Sequence, residues 1–423
     1  MRHVIVGGSA AGTVAAETLR RHRFHDDIVV VDRDPALSYA RCLLPQYVGG
    51  GVPRRRLSWR SPSWFKARRI DLVRESATRV DTDERCVWLA DGRSLAYDTL
   101  LVSTGSLASL PPSLGEGDTG IVGLRTLRDA ERLRRGLRPG STVLVVGGGF
   151  VGLKLSAALS KAGVQVLVVE ADVKVLGRMA DAEAGGRLVR LLEKNGVGVK
   201  LATTVEGVEP NLVWAQRSGR GVRKPVGYRV FLSDRSSLVV DKVVVAAGVE
   251  ANSACLAESG AELLGGCVVV DACQATGVPD VYAAGDVCSV RHSKEAAAES
   301  YGIWPVACEQ GRVAGMNMAG LVTRAERFVP MNTLELFDRC FTSIGRPHDR
   351  CGEVSHRVYR SGETYQKLTL VGDVPVRFLA VGGVWRAGIV ATAIRYGVPL
   401  AKLLAEPGAH VIPVLSHGVP ADD

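Results

Sequence analysis

Two glycine-rich turns, two strand-end carboxylates and one cysteine carry the chemistry legible in this chain of 423 residues. Gly7-Gly8-Ser9-Ala10-Ala11-Gly12 follows the apolar run Val4-Ile5-Val6, and Asp32 stands twenty residues beyond Gly12, just past a second apolar run at residues 28–31. A turn of this kind presents the N–H groups of a helix start to a phosphate, and a carboxylate about 20 residues on can accept hydrogen bonds from a ribose. Gly147-Gly148-Gly149-Phe150-Val151-Gly152 repeats the pattern, with Glu170 eighteen residues beyond Gly152, and both end glycines lie 140 residues from their counterparts. Gly7 and Gly147 serve the tight turn, and Gly12 and Gly152 let helix and strand pack closely. Ser9 replaces, in the first copy, the glycine that Gly149 supplies in the second. Two such units imply two dinucleotides, the competing reading being two structural turns with empty phosphate sites. Cys42 comes ten residues past Asp32. The chain leaving that strand end is still close to a bound dinucleotide, so the thiol can reach its reactive ring; a small core residue is the alternative.

The elements that must position these groups follow from periodicity. Each unit reads as buried strand, turn, helix and second strand, a βαβ fold. Between the units, the sequence predicts a short helix around Trp64, and strands at residues 71–73 and 86–89 that continue the first domain's sheet. An apolar strand then runs into the small-residue turn of residues 97–105, YDTLLVSTG. Pro111-Pro112 and residues 115–120 mark a boundary. Residues 228–252 predict a hairpin, a buried strand and the turn Ala246-Ala247-Gly248; residues 281–284 predict a strand that ends at Gly285-Asp286, a carboxylate beside flexible backbone. Short strands from Met331 onward indicate a third domain.

Composition bounds the rest. The length suffices for two or three domains, and 48 glycines fit a sheet-rich fold with many turns. No apolar run approaches the roughly 18 residues that span a bilayer, and a strand beginning at residue 3 leaves no room for a signal peptide, so a cytoplasmic location is expected. Nine cysteines without a C-x-x-C pair read as reduced thiols, most of them core residues, with no metal site. The net charge of +9 is modest, but Arg54, Arg55, Arg56, Arg60, Lys66, Arg68, Arg69 and Arg74 crowd one segment. That segment is either a solvated basic face or a site for phosphates or an acidic partner; no nucleic-acid signature accompanies it.

In this order the features resemble the two-dinucleotide-binding-domain flavoproteins, the pyridine nucleotide-disulfide oxidoreductases. The resemblance spans nearly the whole chain and rests on both loops with Asp32 and Glu170, on Ser103-Thr104-Gly105, Ala246-Ala247-Gly248, residues 281–286 and Glu309-Gln310-Gly311. It implies an α/β fold of two Rossmann-like dinucleotide-binding domains plus a C-terminal α+β interface domain. Residues 1–110 and 246–325 would form the FAD domain, 111–245 the NAD(P)H domain and 326–423 a homodimer interface. FAD would be held by Gly7, Gly8, Ser9, Ala10, Ala11, Gly12, Asp32, Arg41, Cys42, Thr104, Gly105, Gly285 and Asp286. NAD would be held by Gly147, Gly149, Phe150, Val151, Gly152, Glu170 and Gly248, with NADH preferred because Glu170 repels a 2′-phosphate and with Arg178 as a counterweight.

Within that family, SYARCLLPQYVGG resembles the loop of coenzyme A disulfide reductases and related NADH oxidases and persulfide reductases, in which a single cysteine faces the flavin. Tyr47 stands where the dithiol branch carries its second cysteine, and His348 and Glu353 copy that branch's His-Glu spacing but read as surface residues. The C-terminal stretch WRAGIVATAIRYGVPLAKLLAEP lacks the tyrosine-rich tail of the coenzyme A enzymes and looks more like NADH-dependent nitrite reductase flavoproteins; Lys154 replaces the family's glutamate. The expected activity is hydride transfer from NADH to FAD and on, through Cys42 as catalytic thiol, to a disulfide or persulfide. The alternative is a flavoprotein that exchanges electrons with an iron-sulfur protein while Cys42 stands by. A dinucleotide-binding redox sensor is a third reading.

Overall fold

The computed structural model describes residues 1–111, 114, 121–217, 220–293, 296–326, 328–346, 352–383, 387–405, 412–416 and 419–421. The expected boundary at residues 115–120 and the surface position of His348 lie outside them. The chain divides into two compact units, one of Met1–Cys42, Arg54–Leu107 and Val249–Phe328, the other of Leu43–Pro53, Ala108–Gly248 and Val329–Asp423.

The first unit is built on a five-stranded parallel sheet in the order Val281–Ala283, Thr99–Val102, Arg2–Val6, Asp27–Val31, Ile70–Val73. Side chains alternate across each strand, so Val4, Val6, Val29 and Val31 feed one core while Ile5, Ile28 and Val30 feed another on the opposite face. Burial on both faces explains why these strands are continuously apolar rather than alternating. Helices Ala10–His22 and Trp304–Met318 cross through small residues: a Cβ on Gly311 would lie 2.2 Å from the Ala11 carbonyl oxygen, and one on Gly315 2.8 Å from that of Ala15. Of the strands expected to extend this sheet, Ile70–Val73 does so but Cys86–Leu89 does not. It pairs with Ala77–Asp81 and Ser94–Ala96 in a separate antiparallel sheet.

The second unit repeats the parallel plan in the order Val197–Lys200, Gln165–Val169, Thr142–Val146, Lys242–Val245, Ile121–Gly123. Arg220–Leu232 and Ser237–Val240 form the expected hairpin, extended by Val205–Arg217. From Met331 the chain forms a six-stranded antiparallel sheet in the order Met331–Leu336, Arg339–Gly345, Val374–Gly382, Thr364–Val371, Val354–Ser361, Val419–Ala421, with helix Ala387–Tyr396 packed on it through Val390 and Ala393. Among the described residues no helix is long and apolar enough to cross a membrane.

Candidate functional site

The two glycine loops have matching geometry. Gly7 has φ +103°, and a Cβ there would lie 2.2 Å from the Ser103 carbonyl oxygen; Gly147 has φ +108° and would meet the Ala246 oxygen at 2.5 Å. Backbone angle and space both exclude a side chain at these positions. A Cβ on Gly12 would sit 1.8 Å from the Gly7 oxygen, and one on Gly152 2.0 Å from the Gly147 oxygen, which is how each helix starts directly against its strand. The middle position is different. Around Gly149 a Cβ meets nothing within 4 Å, so the serine found at the equivalent Ser9 departs from the glycine pattern without steric conflict.

Neither helix start is closed by a side chain. Ser9 and Gly149 occupy the N-cap positions without a capping side-chain bond, and neither first turn contains an acid. Thr126, Asp181 and Ser61, by contrast, do cap helices Leu127–Arg134, Ala182–Lys194 and Pro62–Ala67. Uncapped N–H groups at the positive end of a helix suit a phosphate anion.

The strand-end acids are held alike. Asp32 accepts from the Gly8 N–H at 2.6 Å and the Asp34 N–H at 2.8 Å, and Glu170 accepts from Gly148 at 2.6 Å and Asp172 at 2.9 Å. Burial pushes the Asp32 carboxyl up, opposed by those two N–H groups and by the Arg41 charge.

Further residues of the first unit converge on its loop. Ser103 donates to the Val6 and Gly7 carbonyl oxygens at 3.1 and 2.9 Å. Thr104 donates to the Asn252 carbonyl at 2.6 Å while Gly105 accepts from the Asn252 N–H at 2.9 Å, fixing this turn. Gly285, at φ +86°, donates its N–H to Gln310 Oε1 at 2.8 Å, and Asp286 Oδ2 accepts from Ser106 at 3.1 Å. The sequence marks Gln310 only as the middle of Glu309-Gln310-Gly311 and Ser106 only as the residue after the Thr104-Gly105 turn, and neither pattern reveals these partners.

Arg41 links this loop to Cys42. Tyr39, buried, donates to Asp34 Oδ2 at 2.8 Å; the Arg41 guanidinium lies 4.7 Å over the Tyr39 ring and donates to Tyr39 Oη at 2.9 Å and to Ser9 Oγ at 3.3 Å. Cys42 is the next residue, in the turn Arg41–Leu43, and is the one exposed thiol among the eight described cysteines. Only Cys86, Cys255 and Cys288 are buried; Cys267, Cys273, Cys308 and Cys340 are half-buried, so the core role expected of most cysteines holds for a minority.

In the second unit Phe150 opens helix Phe150–Lys161 with its ring 6.3 Å from that of Phe341, and Val151 beside it is exposed. Gly248, exposed at φ +133°, accepts from the Ser109 N–H at 3.1 Å. Lys154 is half-buried and engaged within the chain, Arg178 is exposed beyond Glu170, and Glu353 is exposed as expected.

The family model for pyridine nucleotide-disulphide oxidoreductases matches residues 1–311. The chain is 31% identical to a 3-phenylpropionate/cinnamic acid dioxygenase ferredoxin–NAD(+) reductase component of Photorhabdus laumondii, over 75% of this chain and 77% of that protein. It is 29% identical to the epsilon subunit of an NADH-dependent phenylglyoxylate dehydrogenase of Aromatoleum evansii, over 93% and 91%. A solved NAD-dependent persulfide reductase from A. fulgidus superimposes with a TM-score of 0.84 at 25% identity, covering 96% of this chain and 79% of that one.

Proposed function

Because this chain belongs to the pyridine nucleotide-disulphide oxidoreductase family, we propose that it is an FAD-dependent oxidoreductase that takes hydride from NADH and delivers two electrons to a disulfide or persulfide acceptor at Cys42. The uncapped helix start behind Gly7, with Asp32, Arg41, Asp286 and the Thr104-Gly105 turn, fits FAD; that behind Gly147, with Glu170 and Gly248, fits the nicotinamide dinucleotide. Bound flavin supplies the two-electron relay between nicotinamide and acceptor.

The chain's own residues do the rest. Gly8 and Asp34 hold the Asp32 carboxylate ready for ribose hydroxyls, Gly148 and Asp172 do so for Glu170, and Glu170 disfavours a 2′-phosphate. Cys42 Sγ attacks one sulfur of an R–S–S–R acceptor and expels R–S⁻; reduction of the mixed disulfide by two electrons from NADH releases the second thiol and restores Cys42. The balance is NADH + H⁺ + RSSR → NAD⁺ + 2 RSH. The observation that carries this reading is that the exposed thiol is adjacent in sequence to Arg41, which is bonded to the first nucleotide loop. Incubation with a disulfide in the absence of NADH should leave R–S on the Cys42 peptide, read by mass spectrometry; turnover without that adduct counts against it.

The relatives support a second reading, in which an iron-sulfur protein takes the electrons, because the matched Photorhabdus laumondii protein is a ferredoxin–NAD(+) reductase component. In either case we place the enzyme in the cytoplasm. We assign residues 1–110 and 246–325 to FAD, 111–245 to NAD(P)H and 326–423 to a homodimer interface, which the mass of the protein in solution tests.

A further inference from the structure

The stretch that follows Glu170 is fastened to the second glycine loop. The Asp172 N–H donates to Glu170 Oε1 at 2.9 Å, and the Leu176 N–H donates to the Gly148 carbonyl at 3.0 Å. Val175 and Leu176 are buried, and Leu176 takes φ +54°. Left-handed backbone at a residue other than glycine is costly and persists only where the surroundings enforce it. Two residues on, Arg178 is exposed.

The far end of this stretch is held by the six-stranded sheet. Tyr365, buried on strand Thr364–Val371, donates to Asp181 Oδ2 at 2.5 Å, while Asp181 Oδ1 accepts the Ala184 N–H at 2.9 Å and so caps helix Ala182–Lys194. Arg377, half-buried on strand Val374–Gly382, donates to the Met179 carbonyl at 2.8 Å. Arg360 of strand Val354–Ser361 adds a bond from Nε to Glu183 Oε2 at 2.9 Å. Burial pushes the Tyr365 hydroxyl up and its bond to Asp181 adds to this, so it stays the proton donor. Burial pulls the Arg377 guanidinium down, opposed by the Asp181 charge, and Arg377 Nε is buried with no partner among the described residues. An apolar side chain would avoid both penalties, so what the guanidinium contributes here is its bond to Met179.

We propose that Tyr365 and Arg377 are positioning residues for coenzyme selection: by fixing Asp181 and Met179 they hold residues 172–178, and with them the Asp172 N–H on Glu170 and the cation of Arg178. The six-stranded sheet thereby takes part in telling a ribose 2′-hydroxyl from a 2′-phosphate. This rests on the reading that the second glycine loop takes the nicotinamide dinucleotide. Both residues act through the backbone and cap of the stretch they hold, and a binding group left loosely held loses affinity because its orientation must be fixed on each binding event.

The test is steady-state kinetics with NADH and NADPH, with menadione as acceptor, on the FAD-loaded full chain and its Arg377→Met, Arg377→Lys and Tyr365→Phe variants. Arg377→Met should raise KM for NADH about fivefold or more and narrow the NADH-to-NADPH ratio of kcat/KM by a similar factor, while kcat at saturating NADH and flavin content stay within about twofold. Arg377→Lys keeps a donor and should recover part of the loss. Tyr365→Phe removes only the hydroxyl, should move the ratio in the same direction, and decides the matter where Arg377→Met does not fold. A role confined to stability would lower the unfolding temperature and leave KM and the ratio unmoved; that result overturns the proposal and leaves the assignment of the second loop standing. A wild-type flavin reduced by neither coenzyme overturns that assignment, and the proposal with it.

Discussion

Arg41 donates from Nε to Ser9 Oγ at 3.3 Å, so the residue before the exposed thiol is bonded to the loop that starts the first helix. On the proposed assignment of FAD to this loop, the guanidinium would face the pyrophosphate that the helix start would hold, and a charged hydrogen bond is worth about 1.5–3 kcal/mol. Arg41→Ala should therefore weaken FAD retention by roughly tenfold or more, measured as flavin fluorescence released on dilution, while Arg41→Lys keeps the charge but not the fork and recovers part of it. Undiminished retention in the alanine variant would remove Arg41 from the site.

The glycines of the second loop should separate by position. Gly152→Ala places a Cβ 2.0 Å from the Gly147 oxygen, against backbone that cannot yield cheaply, and should cost about 1–3 kcal/mol or more by thermal or denaturant unfolding. Gly149→Ala has open space and should leave stability within about 0.5 kcal/mol. Equal losses at the two positions would contradict the packing described for this loop.

Coenzyme choice should follow Glu170. Its carboxylate, fixed by the Gly148 and Asp172 N–H groups, favours NADH, and Glu170→Ala should shrink the NADH-to-NADPH ratio of kcat/KM by about tenfold, mainly through NADPH. A wild-type preference for NADPH would show that the exposed Arg178 governs the site instead.

Thiol labelling should rank the cysteines by exposure and by thiolate population. Cys42 is exposed, whereas burial pushes the thiols of Cys308 and Cys255 up to about 11. The thiolate is the reactive form and exists above the pKa, so at neutral pH iodoacetamide should modify Cys42 and spare both others, whose labelling rises only as pH nears that value. Peptide mapping that finds Cys308 modified at neutral pH as fast as Cys42 would contradict this ranking.

The parts of this site that were legible in the sequence are those dictated by backbone geometry. Gly7, Gly12, Gly147 and Gly152 announce themselves because each stands where a Cβ would strike a carbonyl, and the acids because a strand end fixes their distance from the loop. Contacts between distant segments left no such mark. Nothing local tells that Gln310 receives the Gly285 N–H, or that Cys86-Val87-Trp88-Leu89, apolar like a central strand, belongs to a separate antiparallel sheet. The cationic run looked uniform because the stacking of Arg60 and Arg68 on Trp59 and Trp64 is a tertiary arrangement.

Reduction of a sulfur acceptor depends on Cys42, and substitution of this residue by serine is the most direct test, because oxygen cannot replace sulfur in thiol–disulfide exchange. Steady-state rates for Cys42→Ser would be compared with wild type on a disulfide or persulfide acceptor and on menadione, with equal flavin content in both proteins. The thiol reading predicts that turnover on the sulfur acceptor drops about a hundredfold or more, while NADH-driven menadione reduction stays within about twofold. Full retention of sulfur-acceptor turnover in Cys42→Ser would contradict it and make Cys42 a bystander to electron transfer.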